Sequence, residues 1–260
     1  MERSVELRVY AELNDFLSPD RRFVSFRQPL GIGQTVKDLI EAAGVPHTEV
    51  DAVIVNGTSV AFDHRPREDD VISVYPVFES FDISSITRLR PQPLRETRFV
   101  VDSNLGGLAR YLRMLGFDAL FRNDFADDEI ARISASENRL LLTRDVDVLK
   151  RKEITRGYYV RTTEPIDQVT EIVRRFDLAD GLNPFSRCLE CNEPLKKVSL
   201  EDVKDQLPER AAREYQTFTQ CPVCERVYWA GSHHARMNKK VAEILHRARA
   251  ESQRDGVTQE

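Results

Sequence analysis

The chain has 260 residues, and 43 acidic against 38 basic side chains give it a formal net charge of −5. This length exceeds that of one ordinary domain and predicts two or three. The sequence has no run of about 18 apolar residues and its first residues are polar, which excludes a membrane-spanning helix and a signal peptide and predicts a cytoplasmic protein.

The negative charge is concentrated in the first third of the chain. Residues 1–80 hold 8 basic and 14 acidic side chains, residues 81–180 hold 17 of each, and residues 181–260 hold 13 basic and 12 acidic. The acidic total therefore does not exclude nucleic acid binding by the neutral remainder. Composition and turn signals predict a domain at 1–80, a Pro- and Arg-rich linker at 81–97, a domain at 98–180, a third at 181–250, and a polar tail at 251–260.

The first domain is predicted to be small and mixed. Alternating apolar residues predict strands at 5–9 and 23–26, and two further strands are predicted at 53–57 and 70–75. Thr35 and Gly44 predict the start and end of a helix over Val36–Ala43.

This ββαββ order, with the turn V-N-G at 55–57 and the segment D-D-V-I-S-V-Y-P at 69–76, resembles the ubiquitin-like β-grasp fold of bacterial sulfur carriers. Sulfur carriers end in a free Gly-Gly, whereas this chain continues beyond residue 76. The resemblance therefore implies a module for a protein partner and disfavours sulfur transfer.

Residues 98–180 alternate between strand and helix patterns, which predicts a parallel sheet with helices on both faces. The predicted strands lie at 99–101, 117–121, 140–142 and 158–160, and the predicted helices at 105–116, 127–136 and 165–176.

Aspartates follow three of these strands. Asp102 follows the first, Asp124 and Asp128 follow the second, and Asp145 follows the third. The carboxyl ends of parallel strands meet at one edge, so we expect these acids to lie together. Such an oxygen-only set suits Mg²⁺ or Mn²⁺, which can activate water against a phosphodiester. In the alternative interpretation, these acids cap helices or complement their N-termini.

Basic residues of the same region are predicted to bind phosphate. Arg110 and Arg113 are three residues apart on a predicted helix, and Arg144 lies beside Asp145. Spacing of three places two side chains on one helix face. The alternative is a solvated, charged surface.

Four segments of residues 98–180 resemble the Mut7-C ribonuclease domain, a member of the PIN-like nucleases. They are V-D-S-N-L-G at 101–106, L-A-R-Y-L-R-M-L-G at 108–116, D-D-E-I at 127–130, and L-T-R-D at 142–145. The resemblance implies that Asp102 is the first acidic metal ligand, Asp128 or Asp124 the central one, and Asp145 the third. PIN-like nucleases usually have a fourth acidic ligand, which the sequence does not assign.

All four cysteines of the chain lie in two C-x₂-C pairs, Cys188 with Cys191 and Cys221 with Cys224, separated by 29 residues. Nothing predicts an oxidising compartment, so disulfides are not expected. The pairs predict a structural zinc ion held by four thiolates. Free or redox-active thiols are the alternative.

The segment after the second pair, Y-W-A-G-S-H at 228–233, is similar to one that follows the zinc ribbon of Mut7-C proteins. Trp229 is predicted to stack on bases, and His233 and Arg236 to contact phosphate. The alternative is a strand and turn packed on the ribbon. A basic helix is predicted at 238–249.

Together these patterns predict an α/β protein: a PIN-like parallel sheet with flanking helices, an N-terminal β-grasp domain and a C-terminal Cys₄ zinc ribbon. The predicted function is metal-dependent hydrolysis of RNA, with Mg²⁺ or Mn²⁺ in catalysis and zinc in structure. A structured RNA such as tRNA or rRNA is the suggested target. The alternative is a non-catalytic RNA- or ribosome-associated adaptor.

Overall fold

The computed structural model describes residues 3–76 and 97–255, with side chains described up to residue 250. The chain divides into two compact units. Unit 1 consists of Met1–Glu96 and Asp127–Tyr159, and unit 2 of Thr97–Ala126 and Val160–Glu260. Residues 98–180, predicted as one domain, therefore contribute to both units. Apart from residue 97, the predicted linker lies outside the described residues.

The N-terminal part of unit 1 is a five-stranded sheet with one helix. Its elements are β1 (Ser4–Val9), β2 (Phe26–Pro29), α1 (Val36–Ala43), β3 (Val50–Val55), β4 (Thr58–Val60) and β5 (Val71–Pro76). The order across the sheet is β2-β1-β5-β3-β4, with β1 and β5 parallel and the other neighbours antiparallel. The predicted β-grasp order is present, although β4 was not predicted and the strand expected at 23–26 begins at Phe26.

Helix α1 begins and ends at the predicted residues. The backbone N–H of Asp38 donates to the Thr35 hydroxyl, and the backbone N–H of Thr35 donates to the Asp38 carboxylate at 2.8 Å, which forms a capping box. Gly44 ends the helix with a φ of 114°, a conformation that favours glycine. The buried face of α1 consists of Val36, Leu39 and Ile40.

Unit 2 begins with a parallel β-α-β arrangement. Its elements are β6 (Arg98–Val101), α2 (Gly106–Leu115) and β7 (Asp118–Phe121), and β6 pairs with β7 in parallel. Helix α2 buries Leu108, Leu112 and Leu115 at helical spacing. Gly116 ends the helix with a φ of 98°, and a Cβ atom at this position would lie 2.2 Å from the carbonyl oxygen of Asn183. Only glycine fits this turn.

The remaining part of unit 1 is a second α/β segment. It contains α3 (Asp127–Glu137), β8 (Leu140–Thr143), α4 (Val146–Leu149) and β9 (Gly157–Tyr159), and β8 pairs with β9 in parallel. The predicted strands of the parallel sheet thus correspond to β6 to β9, and both strand pairs, β6 with β7 and β8 with β9, are parallel with helices beside them. This confirms the α/β class.

Polar side chains join this segment to the β-grasp part of unit 1. The Nε2 atom of His47 lies 2.8 Å from the carbonyl oxygen of Ile154, and its Nδ1 atom lies 2.6 Å from the Glu41 carboxylate. The backbone N–H of Tyr159 donates to the Glu49 carboxylate at 2.5 Å. His47 and Glu49 are both buried, so these hydrogen bonds form inside the unit.

The rest of unit 2 carries the cysteine pairs and the last helix. Its elements are α5 (Pro165–Arg175), β10 (Lys196–Val198), α6 (Leu200–Val203), α7 (Glu209–Glu214), β11 (Phe218–Gln220), β12 (Val227–Trp229) and α8 (Ser232–Asp255). Strands β10, β11 and β12 form an antiparallel sheet in that order, and α5 packs against α2 and α8. Helix α8 begins before the predicted 238 and continues through the first half of the predicted tail. In the part of the chain that the structure describes, no helix is both long and apolar enough to cross a membrane.

Candidate functional site

The four cysteines meet at one point in unit 2. Their sulfur atoms all lie within 4.8 Å of one another. Cys188 Sγ is 3.5 Å from Cys191 Sγ and 3.6 Å from Cys224 Sγ, and Cys191 Sγ is 3.6 Å from Cys221 Sγ. Zn–S bonds of about 2.3 Å in a tetrahedron place sulfurs about 3.8 Å apart, close to these separations. Number, chemistry and spacing of the donors therefore fit a tetrahedral zinc ion.

Hydrogen bonds around Cys188 favour its thiolate. Burial alone would raise its pKa, but N–H groups of Cys191 and Glu190 and the hydroxyl of Tyr228 lower it to about 6. Tyr228 Oη lies 3.2 Å from Cys188 Sγ, and burial raises the pKa of that tyrosine. Burial and the neighbouring sulfurs raise the pKa of Cys191. A metal ion binds cysteine as the thiolate, so these hydrogen bonds favour the form of Cys188 that a metal requires.

Arg113 supports the loop that carries the first cysteine pair. Its Nε donates to the carbonyl oxygen of Ala119 at 2.8 Å, and its Nη1 donates to those of Leu189 and Glu190 at 3.2 and 2.6 Å. Burial lowers the pKa of this arginine. The residue is only 4% exposed, so the structure argues against the predicted RNA contact and gives Arg113 a structural role.

Unit 2 holds two of the four predicted catalytic acids, Asp102 and Asp124. Asp102 directly follows β6 and is 8% exposed, and its side chain makes no capping hydrogen bond to the turn that follows. Asp124 lies shortly after β7 and pairs with Arg122 at 2.9 Å, which holds its pKa below the usual range. Because β6 and β7 are parallel, both acids follow strands at the same edge of this pair.

Unit 1 holds the other two predicted acids, Asp128 and Asp145. Asp145 accepts hydrogen bonds from the backbone N–H groups of Asp147 and Val148 at 2.8 and 3.3 Å, so it caps α4. Its own N–H donates to the buried Thr143 hydroxyl at 2.9 Å. Asp128, in the first turn of α3, forms an ion pair with Arg151. Arg144, next to Asp145, is half-buried.

Among residues 3–76 and 97–255, one group of three or more potential metal ligands lies close enough together to bind a single ion, and it consists of the four cysteines. Each unit contributes two of the four predicted acids. The shared Mg²⁺ or Mn²⁺ set therefore stays a prediction.

Three predicted RNA contacts, Arg110, His233 and Arg236, line one cavity of about 550 Å³ in unit 2. Trp229 lines a second cavity of about 330 Å³ that shares Arg110 and His233 with the first. Two arginines that line these cavities pair with an acid that the sequence analysis missed. Glu190 pairs with Arg110 at 3.0 Å and with Arg226 at 2.9 Å, and no local pattern marks it for this role.

Family models account for most of the chain. The Mut7-C RNAse domain model matches residues 97–241, and the Mut7-C ubiquitin model matches residues 2–82. The chain belongs to the Mut7-C RNAse domain family. Searches of the curated proteins and of the solved structures return no significant match. The Mut7-C RNAse match contains all four cysteines and the four candidate aspartates, and it confirms the resemblance found in the sequence.

Proposed function

We propose that this Mut7-C protein is a metal-dependent ribonuclease that hydrolyses RNA phosphodiesters with Asp102, Asp124, Asp128 and Asp145 as metal-binding acids. The observation that carries the proposal is the Mut7-C RNAse match over residues 97–241, which spans all four acids.

The chemistry and the local structure of these acids support the proposal. Carboxylate oxygens are the donors that Mg²⁺ and Mn²⁺ prefer. When bound, such an ion acts as a Lewis acid on phosphate and lowers the pKa of water. Asp102 is 8% exposed at the end of β6, where it accepts a hydrogen bond from the Ser103 hydroxyl at 3.2 Å and does not cap the next turn. Two backbone N–H groups fix the orientation of Asp145.

The other parts have supporting roles in this proposal. Zinc at the four cysteines stabilises the ribbon and leaves no open coordination position, so it takes no part in the reaction. The protein works on RNA in the cytoplasm, with structured RNA such as tRNA or rRNA as target. The β-grasp domain binds a protein partner.

The test uses Asp145→Asn beside Asp147→Asn. Asparagine is as good an N-cap as aspartate, so the first variant keeps α4 and removes only the charge. Asp147 is an exposed acid two residues further on, which makes it the matched control. We expect labelled RNA with Mn²⁺ to be cut by wild type and Asp147→Asn but not by Asp145→Asn. Equal cutting by all three proteins contradicts the proposed centre.

A non-catalytic RNA-binding adaptor is the second candidate. The ion pairs of Asp128 with Arg151 and of Asp124 with Arg122 favour it, since these arginines neutralise two acids without a metal. Binding of RNA by the wild type without Mn²⁺-dependent cutting supports this candidate.

A further inference from the structure

We propose that the two adjoining cavities of unit 2 form a groove for single-stranded RNA, with unpaired bases on its floor and phosphates on its rim. The cavities measure about 550 and 330 Å³ and share Arg110, Leu189, His233 and Met237. The inference deepens the proposed function and rests on it for the choice of RNA over other polyanions.

The rim of the groove is positively charged. Arg110, Arg226, Arg236 and Lys240 line it, and Glu164 is the acid among the lining residues. Glu190 forms ion pairs with both Arg110 and Arg226, so a single carboxylate is shared by two guanidinium groups. The Arg236 side chain is exposed and makes no hydrogen bond or ion pair to another described residue. Cations therefore outnumber acids along the groove, although the chain as a whole has a net charge of −5, and this local excess suits an anion.

The floor of the groove is apolar and includes aromatic rings. Met114, Ile166 and Leu189 line the larger cavity, and Met237 lies where the two cavities join. Tyr111 borders the larger cavity, where the Lys240 ammonium donates to its hydroxyl at 2.8 Å. Trp229 lines the smaller cavity.

An apolar floor below a cationic rim matches an unpaired nucleotide, whose base stacks on apolar surface while its phosphate stays at the rim. A volume of about 550 Å³ lies within the range of ligand pockets, about 300–1,000 Å³. A duplex keeps its bases paired and stacked inside, so it cannot fill the floor. Single-stranded RNA is therefore the occupant that uses both features.

The experiment measures binding of a fluorescent single-stranded RNA by anisotropy, with the zinc-loaded full chain and without Mg²⁺ or Mn²⁺. The variants are Arg236→Gln and Lys240→Gln. The matched control is Lys239→Gln, since Lys239 is exposed on α8 but lines neither cavity. We expect each groove variant to bind more weakly and to flatten the slope of log K against log salt by about 0.7, the value for one lost single-strand phosphate contact. Lys239→Gln should bind like wild type.

Stacking is tested at Trp229. We expect Trp229→Ala to weaken binding about fivefold or more, and Trp229→Phe, which keeps a ring, to restore most of it. A duplex of the same sequence should compete poorly. The inference is overturned if Arg236→Gln and Lys240→Gln bind like wild type, if the duplex binds as tightly as the single strand, or if a poly-glutamate peptide competes equally well. The experiment measures RNA binding without Mg²⁺ or Mn²⁺, so its outcome does not depend on whether the protein cleaves RNA. A negative nuclease test therefore does not decide it.

Discussion

The guanidinium of Arg113 donates a 2.6 Å hydrogen bond to the backbone carbonyl of Glu190, 77 residues further along the chain. Glu190 lies between Cys188 and Cys191, so a cation from α2 holds the loop that carries half of the candidate zinc site. The same guanidinium also donates to the carbonyl oxygen of Leu189 in this loop, at 3.2 Å. The order of the loop therefore depends on α2 as well as on any metal ion that the cysteines bind.

Replacing Arg113 by methionine should lower the free energy of unfolding of unit 2 by about 3 kcal/mol. The carbonyls of Ala119, Leu189 and Glu190 lose a donor, and each unsatisfied buried group costs about 1–3 kcal/mol, part of which water recovers. The measurement is urea unfolding followed by the fluorescence of Trp229, the single tryptophan of the chain.

Arg110→Met is the matched control for Arg113→Met. Arg110 lies on the same helix but is exposed, and its pair with Glu190 is a surface salt bridge worth about 0–1 kcal/mol. Equal unfolding midpoints for the two variants contradict the structural role of Arg113.

Zinc should be lost when one of the four sulfurs is removed. We expect the wild type to contain one zinc ion per chain by elemental analysis, and Cys221→Ser to contain less than a stoichiometric amount because three thiolates hold zinc more weakly than four. Removal of zinc by a chelator should change Trp229 fluorescence, since β12 follows directly on the second cysteine pair.

Val223→Ser is the control for Cys221→Ser. It changes the same loop at a side chain that is 66% exposed. It should keep the full zinc content. A Cys221→Ser protein that also keeps it excludes the four-sulfur site.

His47→Ala should loosen the contact between the two parts of unit 1. The imidazole reaches both Glu41 and the carbonyl oxygen of Ile154, and loss of a buried partner costs about 1–3 kcal/mol. We expect faster amide hydrogen exchange at residues 150–159. His64→Ala, at the other histidine of the β-grasp domain, should leave this exchange unchanged, and equal protection in both variants rules out the proposed contact.

The elements that the sequence predicted well have local signals. Thr35 and Gly44 mark the ends of α1 through hydrogen bonds and a φ value set within a few residues. Each cysteine pair is likewise a local motif, and the pairs meet because three short strands bring them together. By contrast, β4 has three residues, too few for an alternation pattern to be read.

Burial was harder to predict than secondary structure. Arg110 and Arg113 are three residues apart, which leaves them about 60° apart around a helix. That angle is enough for Arg110 to face the groove while Arg113 turns into the interior. The carbonyls that attract Arg113 lie 76 and 77 residues away, so no local pattern reports them. Asp145 shows a different limit of the sequence analysis. One residue can both cap a helix and bind a metal ion, so the position of Asp145 before α4 does not decide between the two roles.

Acid should weaken α1 through Asp38. The backbone N–H and the hydroxyl of Thr35 both donate to the Asp38 carboxylate at 2.8 Å, and these hydrogen bonds lower its pKa. A carboxyl group whose pKa is lower in the folded state stabilises the fold above its unfolded value of about 3.9. This contribution is lost as the pH falls through the folded pKa. The stability gap between wild type and Asp38→Asn should thus be largest near about pH 6 and shrink below about pH 4.

Thermal or urea unfolding of unit 1 at several pH values, followed by circular dichroism, measures this gap. Thr35→Ala separates the two hydrogen bonds, because it removes the hydroxyl and keeps the backbone N–H. We expect it to cost about 1 kcal/mol, as for other lost N-caps. Part of the pH dependence should remain, because the backbone N–H of residue 35 still donates to the Asp38 carboxylate and lowers its pKa. A gap between wild type and Asp38→Asn that stays constant down to about pH 3 shows that the Asp38 charge does not stabilise the helix.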